Sequence, residues 1–323
     1  MLHYRTFRNT DPPVLSELWR SRQGQHGLYQ PVWPSLLEQL VFAKLYFDYE
    51  GLVLAFEGDR PVGFAHAGFG PNEAEDCVST ELGTTCLVLV RRDCDEPRVA
   101  AGLVEQCEQY LRRRGAKVLY GGAIHPLNPF YLGLYGGSEL PGVLKSDAPA
   151  NEAFRSRGYK EIDQVMVLRR ELAGFQPPMD RRQMQARRQM IVEETADPPP
   201  RSWWEACVLG EFHLTRFELV PRSGGQPVAR ATFRSIEAAG TTGVSRAAGL
   251  IELEVDESLR RRGLAVFLVS EAFRQLMRQG VSLVEAQCMS HNEAARGLYE
   301  RLGLQHADTG TVYRKETFNA RRA

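Results

Sequence analysis

Residues Leu250 to Ala265 read L-I-E-L-E-V-D-E-S-L-R-R-R-G-L-A. An apolar, β-branched run closes at Val255, a short polar turn follows, and three arginines and a glycine lead into an amphipathic stretch. Leu264, Phe267, Leu268, Ala272, Leu276 and Met277 recur at steps of one, three and four, so one helical face is buried. Gly280 stands where a helix-ending glycine belongs. The pattern is a strand, a tight turn and a helix that starts directly from the turn. The first helical turn leaves its N–H groups without intrahelical partners, with the positive end of the helix dipole behind them. Such a place suits a phosphate or diphosphate. Gly263 carries no Cβ and lets a ligand approach the backbone, Ala265 keeps the next turn slim, and Arg260 and Arg262 add fixed charge. The alternative from these residues alone is a solvated basic turn ahead of an ordinary helix.

A second segment bears on the choice. Asn292 to Leu304 reads N-E-A-A-R-G-L-Y-E-R-L-G-L. Together the two segments resemble the GNAT superfamily of acyl-CoA N-acyltransferases. Its diphosphate motif, Arg/Gln-x-x-Gly-x-Gly/Ala, is met by Arg260, Gly263 and Ala265. Its later motif, Asn-x-x-Ala-x-x-Leu-Tyr-x-x-x-Gly-Phe, is met by Asn292, Ala295, Leu298, Tyr299 and Gly303, with Leu304 in place of Phe. The order and separation of the motifs fit, over about the last 140 residues.

The resemblance implies acetyl-CoA as co-substrate. The backbone of the strand at Leu253 and Val255 would bind the pantetheine arm. The N–H groups of Arg260, Arg261, Arg262, Gly263, Leu264 and Ala265 would hold the diphosphate. Asn292 is a contact to the cofactor or a helix cap. The N–H of Val255 would face the oxyanion, and Tyr299 would protonate the departing thiolate. Glu252 is the first choice of base, with Glu254 on the same face by alternation and His291 as a further candidate. A bulge in this strand would change which of the two glutamates faces the cleft.

Forty basic and forty acidic residues cancel, so no overall field recruits nucleic acid or an anionic membrane. With 43% hydrophobic and 25% charged residues, the composition is that of a soluble globular protein. No run reaches the length of a membrane span. The opening M-L-H-Y-R-T-F-R-N-T lacks the apolar core of a signal peptide, so a cytoplasmic location is expected. Cys77, Cys86, Cys94, Cys107, Cys207 and Cys288 form no CxxC pair, and no His lies at finger spacing from two of them. Reduced thiols and no metal site are expected.

The chain repeats one plan. A hairpin at Leu52–Glu57 and Val62–Phe69, a strand at Leu87–Val90, a helix buried through Val99, Leu103, Val104, Cys107, Tyr110 and Leu111, and a stop at Gly115 make the first copy. A second hairpin pairs Phe217–Val220 with Val228–Phe233, and its strand ends at Val255 and its helix at Gly280. The strand end and the helix stop are each displaced by 165 residues (255 − 90 and 280 − 115). Gly303 answers Gly158 at only 145, so the first copy carries about twenty extra residues within 121–149. Further helices are expected at 13–22, 35–47 and 201–212, and a strand at 118–120.

The fold class expected is α/β with mixed sheets: two tandem GNAT-like domains, each a mostly antiparallel sheet flanked by helices. The domains are 1–172, degenerate, and 191–323, catalytic, joined by a basic linker at 173–190. Aligning Val90 with Val255 puts Asp95 at the position of Arg260 and Arg98 at that of Gly263, with Ala100 answering Ala265. An aspartate there repels diphosphate. Phe154 falls where Tyr299 stands and has no hydroxyl to donate. The insert, with Phe130, Tyr131 and Tyr135 among its glycines, either is an ordered surface loop or covers the groove between the copies and contacts the acceptor. The activity expected is transfer of an acetyl group to a small-molecule amine. Two others stay open: a non-catalytic acyl-CoA sensor and a protein N-acetyltransferase.

Overall fold

The computed structural model describes residues 1–236 and 246–316. In the first half come β1 (Leu2–Thr6), α1 (Pro12–Arg20), α2 (Pro34–Leu37), β2 (Leu52–Glu57), β3 (Arg60–Pro71), β4 (Val78–Val90) and α3 (Glu96–Arg113). After them follow β5 (Val118–Gly121), β6 (Val143–Leu144), α4 (Ala148–Ser156) and β7 (Lys160–Glu171). The second half holds α5 (Arg181–Gln189), β8 (Met190–Ala196), α6 (Trp203–Leu209), β9 (Leu214–Pro221), β10 (Ala229–Ile236) and β11 (Arg246–Val255). It closes with α7 (Leu264–Arg278), β12 (Val281–Met289), α8 (Glu293–Arg301) and β13 (Gln305–Glu316).

The glycines that fix the repeat do so for a physical reason. Gly115 and Gly280, after α3 and α7, have φ of +99° and +87°, the left-handed conformation that ends a helix with least strain when no Cβ is present. The helices they end bury nearly all of the expected faces: Val99, Leu103, Val104, Cys107 and Leu111 of α3 are fully buried, as are Leu268, Val269, Ala272 and Phe273 of α7. Each such Val, Leu or Phe side chain is worth about 1.5–3 kcal/mol. Met277, expected on the buried face, lies in the last turn of α7, past the edge of the core, and is exposed. The 145-residue offset is also structural. It carries α4 onto α8 and β7 onto β13 at both ends of each element.

The halves are joined more closely than two beads on a linker. All thirteen strands among the described residues lie in one sheet, whose main path runs β1-β2-β3-β4-β5-β13-β7-β12-β11-β10-β9-β8. Each half has handed its last strand to the other: β13 pairs with β5 of the first half, and β7 pairs with β12 of the second. The two exchanged strands pair with each other antiparallel, and Val165 lies opposite Gly310. Those two residues are themselves 145 apart, so an approximate dyad passes between them. The boundary expected at 172 therefore does not divide the sheet.

Other expectations shift in detail. The segment 173–190 contains helix α5, capped by the Asp180 carboxylate at Gln183 N–H and packed on α7. The helix expected at 35–47 is the single turn α2 followed by a π-helical turn at Glu38–Phe42. There Phe42 turns into an aromatic cluster with Phe7 and Phe47. The strand expected at Leu87–Val90 starts at Val78, because its polar first part is held by pairing with β3. The insert is no surface loop: Phe130, Tyr131, Leu132, Leu134 and Tyr135 are all buried.

Candidate active site

β11 pairs with parallel β12 only as far as Leu250 opposite Ala286. Beyond that point the strands splay, while β11 stays paired with β10 to Val255. Opposite Thr232 and Phe233 the register skips Ile251, so β11 bulges there. Glu252 and Glu254 accordingly share one face, and Leu253 and Val255 the other, where they pack against the core. Asp256 N–H donates to Val228 O at 2.9 Å. Since narrow and wide pairs alternate along an antiparallel ladder, the N–H and C=O of Val255 and Leu253 point away from β10, into the splay. Two backbone rungs thus face an opening instead of a strand.

The opening is one end of a cleft of about 1390 Å³. Its walls include β11 from Leu250 to Val255, Arg260, Arg261 and Gly263 to Val266 of the turn, Gln287 and Cys288 of β12, and Asn292, Leu298 and Tyr299 around α8. At its far end α7 begins without a side-chain cap, on Gly263 at φ +83°. Arg261 is left-handed as well, at +62°. This geometry lets successive N–H groups converge on an anion. A Cβ on Gly263 would meet Gln183 Nε2 at 3.0 Å and Arg182 Cβ at 3.3 Å. Glycine is needed for the turn's conformation and for the approach of α5, and the ligand side of the turn does not by itself demand it.

The charged residues divide. Arg260 donates to Val255 O at 3.2 Å and pairs with Glu257 at 3.0 Å, at the cleft wall. Arg262, expected at the diphosphate, lies outside the cleft lining; its guanidinium donates back to Ser258 O at 3.2 Å. Arg182 of α5 lines the cleft instead and donates to Arg261 O. Sequence reading missed it because the arginine-rich segment was taken for a linker; the Asp180 cap three residues before Gln183 was the available signal.

Asn292 lines the cleft, and its side chain accepts from Ala295 N–H at 3.1 Å as the cap of α8. The first half has Asp147 in the same role, accepting from Ala150 N–H. Asp147, and not Asn151, is its counterpart at the 145 offset. His291 is exposed and paired with Asp163 at 3.0 Å, outside the cleft lining. Glu254 is largely exposed. Glu252 accepts from Thr232 Oγ1 at 2.7 Å and is ion-paired to Arg201, a pairing that ties up its carboxylate. The Glu252 position lines the cleft, with its carboxylate held between Thr232 and Arg201.

Tyr299 is buried at 6% exposure against the cleft. Burial first, then Cys288 and Glu139, raise its pKa well above the usual phenol value, so it holds its proton throughout the physiological range. Burial likewise pushes the Cys288 thiol up, which leaves it a poor nucleophile.

Glu139 was not foreseen. It belongs to the first half's insert yet stands in the second half's cleft. The loop is pinned there by the second half. Ser138 N–H and Oγ donate to Glu285 Oε1 at 2.7 and 3.1 Å. Buried Arg234 donates to the carbonyls of Gly137 and Ser138, and Gln287 donates to the Glu139 carbonyl at 2.8 Å. Arg169 of the exchanged strand β7 completes the set at Glu285, 2.7 Å away.

The corresponding place in the first half is closed. β4 and β5 part after Thr85 and Gly121, but Tyr131, Leu134 and Tyr135 crowd the gap and leave a cavity of about 70 Å³. The start of α3 is already capped: the Asp95 carboxylate accepts from Arg98 N–H. One half has an open, uncapped helix start, and the other has filled its own.

Comparison with known proteins agrees with this geometry. Residues 181–304 match the model of the acetyltransferase (GNAT) family. Among solved structures, a tandem GNAT protein from the clavulanic acid biosynthesis pathway is similar over 98% of each chain, with a TM-score of 0.66 at 13% identity. A GCN5-related N-acetyltransferase from Sphaerobacter thermophilus is similar over 98% of this chain and 95% of that one, at a TM-score of 0.61 and 18% identity. A glucosamine N-acetyltransferase region of a fungal multi-domain β-N-acetylglucosaminidase gives 0.69 at 15% identity, with 98% of this chain covering 38% of that larger one. No curated protein matches the sequence. Residues 181–304 thus carry a domain of the acetyltransferase (GNAT) family, and the whole chain shares the fold of tandem GNAT proteins.

Proposed function

We propose that this protein is an acetyl-CoA-dependent N-acetyltransferase that acts on the primary amine of a small molecule by direct attack. The observation that carries the reading is the pairing of two features along one cleft: the outward backbone rungs of Leu253 and Val255, and the uncapped start of α7. In this reading the rungs hold the pantetheine amides. The amides from Gly263 to Val266, with Arg260 and Arg182 beside them, hold the diphosphate. The Val255 N–H donates to the oxygen that becomes negative as the amine adds to the thioester carbonyl. Tyr299 gives its proton to the departing sulfur. A cavity of about 540 Å³ adjoins the acyl end of the cleft and is walled by both halves. Such a walled space suits a small acceptor better than a folded protein's surface. A cytoplasmic setting, where acyl-CoA is available, fits the expected location.

The test is calorimetry with acetyl-CoA beside thiol release over a panel of amines. Binding with amine-dependent thiol release supports the enzyme. Binding with no release from any amine favours the sensor instead.

A further inference from the structure

The 540 Å³ chamber has an unusual lining. Glu73, Glu75, Glu139, Glu205, Glu252 and Glu254 all border it, against one arginine among the described residues, Arg201. Arg201 is committed to Glu205 and Glu252. His125, also in the wall, is held neutral by burial. The surplus is therefore negative. One further wall residue is built for a guest that donates hydrogen bonds. Asn128 is 4% exposed, and its Oδ1 acceptor has no partner among the described residues. Buried polar atoms are seldom left unpaired without a reason.

The chamber meets the CoA cleft at Glu139, Ile251, Glu252 and Glu254. Of the carboxylates at that junction, Glu252 is tied to Arg201 and Thr232, and Glu254 faces solvent near Arg230. Glu139 alone combines partial burial with a carboxylate that has no hydrogen-bond or ion-pair partner among the described residues. Its backbone is fixed by Gln287, and its neighbours Gly137 and Ser138 by Arg234 and Glu285.

We propose that this chamber receives a small linear di- or polyamine, and that Glu139, contributed by the first half, takes the proton from the ammonium that reacts. The proposal rests on the acyl-CoA reading of the adjoining cleft. One proton of the ammonium passes to Glu139 and on to solvent. The freed nitrogen lone pair then forms the C–N bond at the thioester carbonyl. As the C–S bond breaks, Tyr299 protonates sulfur and is repaid by the second N–H proton of the adduct. The products are the N-acetyl amine, the free thiol of CoA and one released proton. The remaining carboxylates hold the acceptor's distal ammonium and account for a preference for a second charge.

The environment of Glu139 suits the task. Burial, opposed by Arg234 and assisted by Glu285, pushes its carboxyl up to about 7. Besides those two, Tyr299 on α8, Cys288 on β12 and Glu252 on β11 line the same cleft. A base of that strength is half ionised near neutrality and accepts a proton with useful driving force.

The experiment uses the whole protein, saturating acetyl-CoA and three amines: 1,4-diaminobutane, n-butylamine, and trifluoroethylamine, which is already neutral near pH 7. The wild type should show kcat/KM for the diamine at least about tenfold above that for n-butylamine, an advantage that shrinks with added salt. E139Q should lower kcat for the diamine by about 10²-fold, within the range for a lost base. It should abolish the acidic limb of the pH profile and leave trifluoroethylamine turnover nearly unchanged. Equal kcat/KM for mono- and diamine overturns the acceptor class, as does acetyl-CoA binding without turnover of the diamine. An E139Q effect of the same size on all amines, or none, overturns the base. Failure to bind acetyl-CoA at all would instead refute the reading of the cleft on which the proposal stands.

Discussion

Placing a negative charge at the start of α7 tests the diphosphate site with a magnitude that can be worked out beforehand. The perturbation is Gly263→Asp compared with Gly263→Asn. Position 263 has φ +83°. Asp and Asn tolerate this region better than other side chains, at a conformational cost of about 1–2 kcal/mol for each. Their Cβ meets the same Gln183 amide at 3.0 Å, the far end of a flexible side chain. The two variants therefore share strain and size and differ in charge. A carboxylate about 5 Å from a phosphate charge is repelled by about 3 kcal/mol at an effective dielectric of 20. Salt at physiological strength screens part of that. About 1.5–3 kcal/mol remains, or roughly 10- to 100-fold in Kd. Pairing of the new carboxylate with Arg182 would withdraw a cation from the cleft and act in the same direction. The assay is calorimetric titration of acetyl-CoA into each variant, with thermal unfolding to show that both are folded. Affinities of the Asp and Asn variants within about threefold of each other would refute the reasoning.

The other expectations concern the acid, the base and the first half. Y299F removes a hydroxyl whose raised pKa keeps it protonated; kcat should fall by about 10²-fold or more with acetyl-CoA affinity unchanged, and full turnover would remove the acid role. D95A should cost about 0.5–2 kcal/mol in urea unfolding by uncapping α3 and leave acetyl-CoA affinity untouched, since the first half is expected to hold none. Glu139 titrates near 7 in the fold, against an ordinary value of 4.5. The fold therefore favours its protonated form, and the stability this contributes is full below about pH 4.5 and lost as pH rises through 7. E139Q should thus stabilise the protein at pH 8 relative to pH 5, by about 1–3 kcal/mol. Equal effects of E139Q on unfolding at both pH values would show that the carboxyl is not perturbed.

Much of this architecture is readable from local chemistry. Helix-ending glycines must take left-handed φ, so Gly115, Gly158, Gly280 and Gly303 mark the repeat in sequence as they do in space. Asp95 and Phe154 set the first half apart in sequence because each lacks a property its counterpart has. The strand exchange leaves no such trace. β7 and β13 are similar strands in corresponding positions, and swapping their partners changes no local pattern. Arg182 escaped notice because a short, polar, arginine-rich helix carries little hydrophobic periodicity of its own. The Glu252 position was legible, but its engagement by Arg201 from fifty-one residues away was not. Glu139 is the clearest case: nothing around G-G-S-E-L marks it, and its position depends on Arg234, Glu285 and Gln287 reaching across from the other half. Contacts between halves decide these positions, and they are not encoded in any one stretch.

The central claim is that one half of this chain, and only one, offers an open helix start to the diphosphate of coenzyme A. The stoichiometry of acetyl-CoA bound to the purified wild-type chain tests it most directly. One equivalent per chain, lost in Gly263→Asp and kept in D95A, is the expected result. Two equivalents, or one that survives Gly263→Asp unweakened, would contradict it.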